Sequence, residues 1–252
     1  MRPNILVIAG HDPSGGAGIH ADIEAIQSTG GFASTLITAL TVQNSRKVSS
    51  FQLTPLELLE QQADALLADY EFQAVKIGMT GSVATVEWIA RLLARLPGVP
   101  VVLDPVLAAE SGGSLAQGDL NEALMDRVAP QATVLTPNLP EAGQLSGETG
   151  VAEAGAALTR RCGRAVLVTG THDDTDQVTN HLFSADGEQQ WNWERLPHSY
   201  HGSGCTLASS IACLRGHGES LANAVADGQA HVDRFLRNAF RPGQGQHVPD
   251  RR

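Results

Sequence analysis

The sequence predicts an α/β fold with three layers (αβα) around a largely parallel central sheet that has a late antiparallel hairpin at its edge. Short apolar runs typical of buried strands alternate with amphipathic helical stretches, and this rhythm indicates βαβ units. A segment around Asp186-Gly187 alternates in polarity on both sides of that dipeptide, which indicates a hairpin. The length of 252 residues is enough for one sizeable core. We expect a single domain over 1–252, with 241–252 as a flexible tail.

The strands are predicted from short apolar or alternating runs bounded by turn residues. The first of these runs is followed by a helix that carries Ile19, Ile23 and Ile26 on one face and ends at a Gly-Gly pair. In chain order, the predicted strands lie at 4–10, 33–40, 47–53, 74–79, 99–106, 132–138 and 164–170, with the hairpin at 178–195.

The second helix has a complete set of start signals. Thr54 is predicted as its N-cap, Pro55 as its first helical residue and Glu57 as the partner in a capping box. The remaining helical patterns start at Ser82 or cover 119–130, 204–216 and 219–239.

Composition and charge exclude several classes of function. The net charge is −10 and the pI is about 5.3, which argues against binding to nucleic acid or to an anionic membrane surface. No run approaches the roughly 18 apolar residues of a membrane span, and the first apolar run is too short for a signal peptide. The three cysteines form no CxxC pair, so we expect a reducing, cytoplasmic location and no disulfide framework.

Several polar or glycine-rich stretches directly follow predicted strands. In an open parallel sheet these strand ends lie along one edge, where ligands bind. The stretch GHDPSGGAG after the first strand matches neither a dinucleotide fingerprint nor a P-loop, but its glycines allow a ligand to approach the backbone closely. Asp22 lies one turn into the following helix. Together these stretches predict a ligand site at this edge.

The stretch HGSGCTLASSIA, from His201 onward, is the most informative part of the chain. A helix that starts near Gly204 directs free amide groups and its positive dipole end toward the preceding loop, which favours an anion. Such a site can stabilise a phosphoryl group in transfer. We expect Cys205 to be more acidic than a free thiol and to act as a base, a nucleophile or a hydrogen-bonding anchor. Cys162 and Cys213 are predicted to be core residues.

These motifs identify a resemblance. The chain resembles the hydroxymethylpyrimidine/phosphomethylpyrimidine kinases of thiamine biosynthesis, within the ribokinase-like superfamily. The resemblance covers nearly the whole chain and depends on six motifs in the family's order: IAGHDPSGGAGIHADI, LITALTVQN, VKIGM, VVLDPV, LTPNLPEA and HGSGCTLASSIA. The GSGC sequence discriminates within the superfamily, because most ribokinase-like enzymes have aspartate where Cys205 stands.

The resemblance implies a role for each matching residue. It implies that Cys205 is the base facing the substrate hydroxyl, beside an anion hole formed by Gly202, Ser203 and Gly204. It implies that Gln43 pairs with the aminopyrimidine, since an amide both donates and accepts. The rest of the pyrimidine pocket would be lined by Gly10, Asp22, Met79 and Val106.

The resemblance also implies ATP as co-substrate, Mg²⁺ as cofactor and a homodimer. The nucleotide phosphates and magnesium would be organised by Asn138, Glu141 and the nearby Asp104, with Thr169 and Gly170 on the nucleotide side. Two positions depart from the family pattern: Thr169 in VTGTH and Glu110 in AESG stand where relatives have lysine. Because only Lys47 and Lys76 are present, positive charge for ATP must come from magnesium, backbone amides or an arginine.

The main hypothesis is in-line transfer from Mg-ATP to the hydroxymethyl oxygen of 4-amino-5-hydroxymethyl-2-methylpyrimidine, followed by a second transfer onto the monophosphate. An alcohol profits from a base and a phosphate monoester does not, so Cys205→Ala should slow the first transfer more than the second. The alternatives are a pyridoxine or pyridoxal kinase and a pyrimidine-binding protein with weakened or lost catalysis. A nicotinamide-dependent oxidoreductase is disfavoured because no dinucleotide fingerprint follows the first strand. The sequence leaves open a monovalent-cation requirement and whether the 178–195 hairpin is a lid.

Overall fold

A computed structural model describes residues 2–107, 118–171 and 175–252 of the chain. Within these ranges nine strands form one sheet in the order β3-β2-β1-β4-β5-β6-β7-β8-β9. The strands are β1 (Asn4–His11), β2 (Phe32–Gln43), β3 (Val48–Leu53), β4 (Ala74–Ile77), β5 (Val101–Leu103), β6 (Val134–Leu135), β7 (Ala165–Val168), β8 (Gln177–Ser184) and β9 (Gly187–Glu194).

Eight α-helices connect and cover these strands in the described ranges. The fourth helix continues into a π-helical turn at Leu124–Val128 and a 3₁₀ turn at Ala129–Gln131. The helices are α1 (Gly18–Ser28), α2 (Leu56–Asp69), α3 (Val83–Leu93), α4 (Gly118–Ala123), α5 (Leu139–Ser146), α6 (Val151–Cys162), α7 (Ser203–Gly216) and α8 (Leu221–Arg237).

The centre of the sheet is parallel and its two edges are antiparallel. Strands β2, β1, β4, β5, β6 and β7 pair in parallel, whereas β3 pairs antiparallel with β2 at one edge. At the other edge β8 and β9 form the predicted hairpin, with Ser184 opposite Gly187. The predicted fold class, including the hairpin at the edge, is confirmed.

Apolar side chains on alternating positions build a core on each face of the sheet. In β1, Leu6 and Ile8 face one core, and Ile5 and Val7 face the other. Helices α2 to α6 pack on the first face, whereas α1, α7 and α8 pack on the second. This arrangement is the predicted three-layer order, and it buries the central strands from both sides.

The order of the strands fixes where a ligand can bind. The chain passes from β1 to β2 on one side and later returns to place β4 on the other side of β1. In open parallel sheets the helices on either side of such a reversal diverge, and a crevice opens at the carboxyl ends of the strands. The glycine-rich loop after β1 and the short loops after β4 and β5 therefore meet at one place.

Some predicted boundaries differ from the structure. Helix α2 is capped by Pro55 without a side-chain hydrogen bond, so the predicted capping box at Thr54 is wrong. The amide of Thr54 instead donates to the carbonyl of Thr38, which keeps this residue bound to the sheet edge. Strands β5 and β6 are shorter than predicted, because the chain leaves the sheet after Leu103 and Leu135 to form loops.

The segment 240–251 differs from the flexible tail expected from the sequence. Phe240 and Val248 exchange backbone hydrogen bonds, and the amide of Asp250 donates to the carbonyl of Phe235. The Arg251 side chain is completely buried. No local pattern predicts these contacts, because they join residues that are distant in sequence. Among the described residues, no helix has both the length and the apolar character needed to cross a membrane.

Candidate functional site

A cavity of about 1030 Å³ lies at the carboxyl ends of the parallel strands. All but two of the site residues proposed from the sequence line it. They are Gly10, Gln43, Met79, Asp104, Val106, Asn138, Glu141, Thr169, Gly202, Ser203, Gly204 and Cys205. The two exceptions are Asp22 and Gly170.

The start of α7 forms a turn of exposed amides at the cavity. Gly202 is the N-cap with φ +80°, a left-handed conformation that favours glycine. Its carbonyl accepts hydrogen bonds from Thr206 at 3.0 Å (backbone N) and 2.7 Å (Oγ1). Amides in the first turn of a helix lack an acceptor within the helix, so those of Ser203, Gly204 and Cys205 are available to an anion. A Cβ atom on Gly204 would meet open space, which shows that this part of the turn faces the cavity.

The glycine-rich loop after β1 is fixed against this turn. A Cβ atom on Gly202 would lie 2.0 Å from the carbonyl oxygen of Gly16, and one on Gly16 would lie 2.2 Å from His201. Asp12 completes the contact: its Oδ2 lies 2.8 Å from Nε2 of His201 and accepts from the amide of Ala17 at 2.9 Å. The two loops can approach this closely only because both contact points are glycines.

A buried cluster of charges lies below the amide turn. The Lys76 Nζ donates to Asp22 Oδ1 at 2.8 Å and lies 3.8 Å from Asp104 Oδ2. Burial by itself lowers the pKa of Lys76, but the nearby carboxylates raise it above its usual value. Burial raises the pKa of Asp104 to about 6 despite the opposing effect of Lys76. The Lys76 ammonium thus compensates the charge of two carboxylates, those of Asp22 and Asp104.

This cluster overturns the expectation of an acidic thiol. The pKa of Cys205 is raised to about 12, above all by burial and also by the carboxylates of Asp104 and Asp22, against the lowering effect of the Lys76 ammonium and an amide hydrogen bond from Gly18. The helix start supplies positive potential, but burial disfavours the charged thiolate and the nearby carboxylates act in the same direction as burial. Cys205 is therefore a neutral thiol at neutral pH, and its side chain interacts with the Asp104 carboxyl.

Asp22 and Gly170 lie behind the cavity wall. Asp22 is fully buried, with Oδ1 bound to Lys76 and to the hydroxyl of Ser209 at 2.7 Å. It acts on the site through Lys76 and does not face a ligand. The amide of Gly170 donates to Oδ1 of Asn180 at 3.0 Å, which turns this residue toward the hairpin strand β8.

The residues Asn138 and Glu141 have a structural role that the sequence analysis missed. They form a complete capping box at the start of α5: the Glu141 amide donates to Asn138 Oδ1 at 2.9 Å, and Glu141 Oε2 accepts from the Asn138 amide at 3.0 Å. The spacing N-x-x-E is the signal that could have predicted it. Both side chains also line the cavity, so capping orients them there.

One end of the cavity is built from β2 and the loop after β4. Thr41 and Gln43 line the cavity, whereas Leu40 and Val42, which alternate with them along the strand, are exposed on the other face. A Cβ atom on Gly10 would lie 2.9 Å from the sulfur of Met79, so glycine is needed for that contact. This end offers an amide beside apolar groups, which suits a small aromatic ring with polar edges.

The other end lies between β7, the hairpin and α8. Thr169 lines this end, and its carbonyl accepts from the amide of Leu139 at 3.2 Å. The Arg195 guanidinium also lines the cavity and donates to the carbonyls of Thr171 and Thr175. No sequence pattern predicted this arginine. Glu110, the other departure from the family's lysines, lies outside the described residues.

The sequence model of one family, described as phosphomethylpyrimidine kinase, matches residues 12–250. The chain belongs to this family. A hydroxymethylpyrimidine/phosphomethylpyrimidine kinase of Escherichia coli strain K12 is 36% identical over 245 residues, covering 94% of this chain and 92% of the relative. One from Streptomyces coelicolor is 37% identical over 250 residues, covering 96% and 92%.

The chain resembles solved structures of kinases with two different activities. A pyridoxal kinase from Staphylococcus aureus in complex with ADP has a TM-score of 0.91 at 26% identity, covering 100% of this chain and 94% of that one. A phosphomethylpyrimidine kinase from Clostridium difficile 630 has a TM-score of 0.82 at 29% identity, covering 93% and 100%. Both confirm the ribokinase-like fold predicted from the sequence motifs.

The contact between Asp12 and His201 predicts how stability depends on pH. Burial alone would raise the pKa of Asp12, but hydrogen bonds from His201 and Ser14 outweigh it and lower the pKa to about 2. A lowered folded-state pKa stabilises the fold above the unfolded value and loses this contribution as the pH falls from about 4 to about 2. Asp12→Asn should therefore reduce the free energy of unfolding at pH 7 by about 2 kcal/mol more than at pH 2.

Urea unfolding of the wild type and of Asp12→Asn at both pH values measures this difference. The exposed Asp69→Asn is the matched control and should show no such pH dependence. An equal loss of stability for Asp12→Asn at both pH values would contradict the role given to the ionised carboxylate.

Proposed function

We propose that this protein transfers the γ-phosphoryl group of ATP to the hydroxymethyl oxygen of 4-amino-5-hydroxymethyl-2-methylpyrimidine, and then a second one to the monophosphate. The observation that carries the proposal is the amide turn of Ser203–Cys205, open to a cavity that also contains the amide of Gln43. The family membership supplies the substrate class. The pyrimidine would occupy the end near Gln43 and Met79, and the nucleotide would occupy the end near Thr169.

Positioning and electrostatics account for most of the catalysis. The transferred phosphoryl group carries negative charge on its equatorial oxygens, and hydrogen-bond donors that are already in place stabilise it without reorganisation. The amides of Ser203, Gly204 and Cys205 are such donors, because Gly202 and Thr206 fix the first turn of α7. The positive end of the helix dipole acts in the same direction.

A neutral Cys205 changes the expected route of the proton. The substrate hydroxyl loses its proton as the new P–O bond forms, and we propose that the sulfur accepts it while the S–H proton moves to the Asp104 carboxylate. Each step breaks one bond to hydrogen and forms another, so the thiol ends as it began. Cys205 and Asp104 both line the cavity, and the thiol lowers the pKa of the Asp104 carboxyl, which supports this relay. It requires no thiolate before the reaction.

Magnesium fits the residues at Glu141 and not at Asp104. Enzymes of phosphoryl transfer bind Mg²⁺ through one or two carboxylates together with phosphate oxygens and water. Glu141 offers such a carboxylate at the cavity wall. Asp104 lies 3.8 Å from the ammonium of Lys76, and that positive charge opposes a second cation beside it. When bound, the metal would neutralise phosphate charge, and we assign its protein ligand to Glu141 alone.

A second candidate function is phosphorylation of pyridoxal or pyridoxine. The specific observation in its favour is the similarity to the pyridoxal kinase of Staphylococcus aureus. Both substrates are aromatic alcohols of similar size that need the same amide turn. The higher identity to hydroxymethylpyrimidine/phosphomethylpyrimidine kinases, together with Gln43 at the substrate end, leads us to place the pyrimidine first.

The proposal includes a cytoplasmic homodimer. The cysteines at positions 162, 205 and 213 are free thiols, in keeping with a reducing compartment. An apolar surface formed by Leu40 and Val42 is exposed on one face of β2. A second copy of the chain would cover this surface, and the homodimer stays a prediction.

Product analysis by mass tests the proposed function. The purified protein, given Mg-ATP and the pyrimidine alcohol, should yield the monophosphate and then the diphosphate. Pyridoxal at equal concentration is the competing substrate and should react more slowly. Faster pyridoxal phosphorylation would favour the second candidate, and pyrimidine binding without formation of ADP would favour a protein whose catalysis is lost.

Gly204 provides a test of the amide turn that does not disturb the fold. A Cβ atom at this position meets nothing within 4 Å, so Gly204→Ala should leave the melting temperature unchanged or slightly raised, since alanine favours a helix over glycine. The methyl group would protrude where we place the phosphoryl group, and turnover should fall by about 10²-fold.

Gly202→Ala is the contrasting variant. The φ of Gly202 is +80°, and the added Cβ atom would lie 2.0 Å from the carbonyl oxygen of Gly16. The substitution should therefore lower the melting temperature as well as turnover. Thermal unfolding and ATP turnover measure both properties. Full turnover in a stable Gly204→Ala protein would place the phosphoryl group elsewhere.

The relay through Cys205 predicts different results for two substitutions. Cys205→Ala removes the relay and should slow the first transfer by about 10²-fold, with a smaller effect on the second, whose acceptor is already an anion. Cys205→Ser keeps a group that both donates and accepts, so it should retain more of the first transfer than alanine does. Single-turnover rates for each step measure this. Equal losses in the two steps would assign Cys205 to positioning alone.

A further inference from the structure

The segment 240–251 brings a buried arginine to the back of the amide turn. Its path is fixed by backbone hydrogen bonds, among them His201 N to His247 O at 2.8 Å and His247 N to Ser199 O at 3.0 Å. The carbonyl of Arg251 accepts from the hydroxyl of Ser28. The Arg251 side chain has no exposure to solvent and does not line the cavity.

The Arg251 guanidinium joins both loops that form the site. Its Nη2 donates to the carbonyl of Gly16 at 2.7 Å, and its Nε donates to Oγ1 of Thr206 at 2.8 Å. The Thr206 hydroxyl in turn donates to the carbonyl of Gly202 at 2.7 Å. One planar group thus fixes the Gly16 loop and, through Thr206, the residue that caps α7. A forked guanidinium can hold these directions at once, whereas a lysine ammonium is a single point of charge.

The position of this charge matters as well as its geometry. A Cβ atom on Gly202 would lie 2.9 Å from Arg251 Nη2, so the guanidinium is in contact with the start of the turn. Among the described residues, its one acidic partner is Glu24, at 3.0 Å, and that carboxylate is partly exposed to water. Buried positive charge therefore lies directly behind the donors that face the phosphoryl group, in a chain where one of the two lysines is already paired with carboxylates.

We propose that Arg251 is a positioning residue for phosphoryl transfer, which holds the Ser203–Cys205 amides in place and supports them with positive charge from behind. The inference rests on the proposed function, since it concerns the same amide turn. It predicts that Arg251, although it lies outside the cavity, affects the rate of phosphoryl transfer more than it affects the binding of substrates. Arg252 is the matched control, because it is exposed and bonds only to Asp250 among the described residues.

The experiment compares Arg251→Ala with Arg252→Ala. Arg251→Ala should lower kcat by about tenfold to hundredfold with less than threefold change in either KM, and Arg252→Ala should match the wild type. Guanidinium ion, at concentrations that leave the wild type unaffected, should restore part of the lost kcat of Arg251→Ala by occupying the vacated site. Hydrogen exchange of the peptide covering 200–207 should be faster in Arg251→Ala than in the control.

Arg251→Lys and Thr206→Val extend the test if Arg251→Ala fails to fold. Both should fold and lower kcat, and Thr206→Ser should restore most of the rate because it keeps the hydroxyl. Unchanged kcat in the stable variants, or a loss that guanidinium does not reverse, would overturn the inference. A wild type that phosphorylates neither alcohol would refute the proposed function, while unchanged hydrogen exchange in the Arg251 variants would independently refute the positioning role.

Discussion

The closeness of two backbones, at Gly16 and Gly202, is the constraint on which the site depends. The loop after β1 and the first turn of α7 come from opposite ends of the chain, and any side chain at either contact point would separate them. The buried pair of Asp12 and His201 holds them together. Once they are joined, the switch point of the sheet is closed on one side by amides, and the cavity has a wall that can bind an anion.

The second constraint is the balance of charge below that wall. Lys76 is bound to Asp22 and lies near Asp104, so its ammonium compensates the charge of these carboxylates at the cavity wall. Burial, together with the same carboxylates, raises the pKa of Cys205 and favours the protonated thiol. A chemical role for the sulfur must therefore begin from the thiol, whose proton needs an acceptor, and in the proposed relay that acceptor is Asp104. The balance of charge thus determines the protonation state from which Cys205 can take part in the reaction.

Local patterns were sufficient to predict the fold, but not to predict contacts between distant residues. Apolar periodicity located the strands and helices, and the Asp186-Gly187 turn located the edge hairpin, because these signals depend on near neighbours in sequence. The site lining was largely predictable, since strand ends converge in a parallel sheet. The raised pKa of Cys205 and the burial of Arg251 depend on partners many residues away, and no local pattern carries that information. At Asn138 and Glu141 the local signal was present, but the predicted ligand role obscured the capping box.

A site poor in lysine can still stabilise phosphoryl transfer if its donors are held rigidly. Helix α7 is buried on nearly all sides, and Ser209 ties it to Asp22, so its first turn cannot shift without disturbing the core. Donors that are fixed before the reaction stabilise developing charge at no cost of reorganisation, whereas a mobile lysine side chain must be ordered first. The packing of α7 thus substitutes for the missing flexible cations, and the rigidity that stabilises the fold is the same property that serves the chemistry.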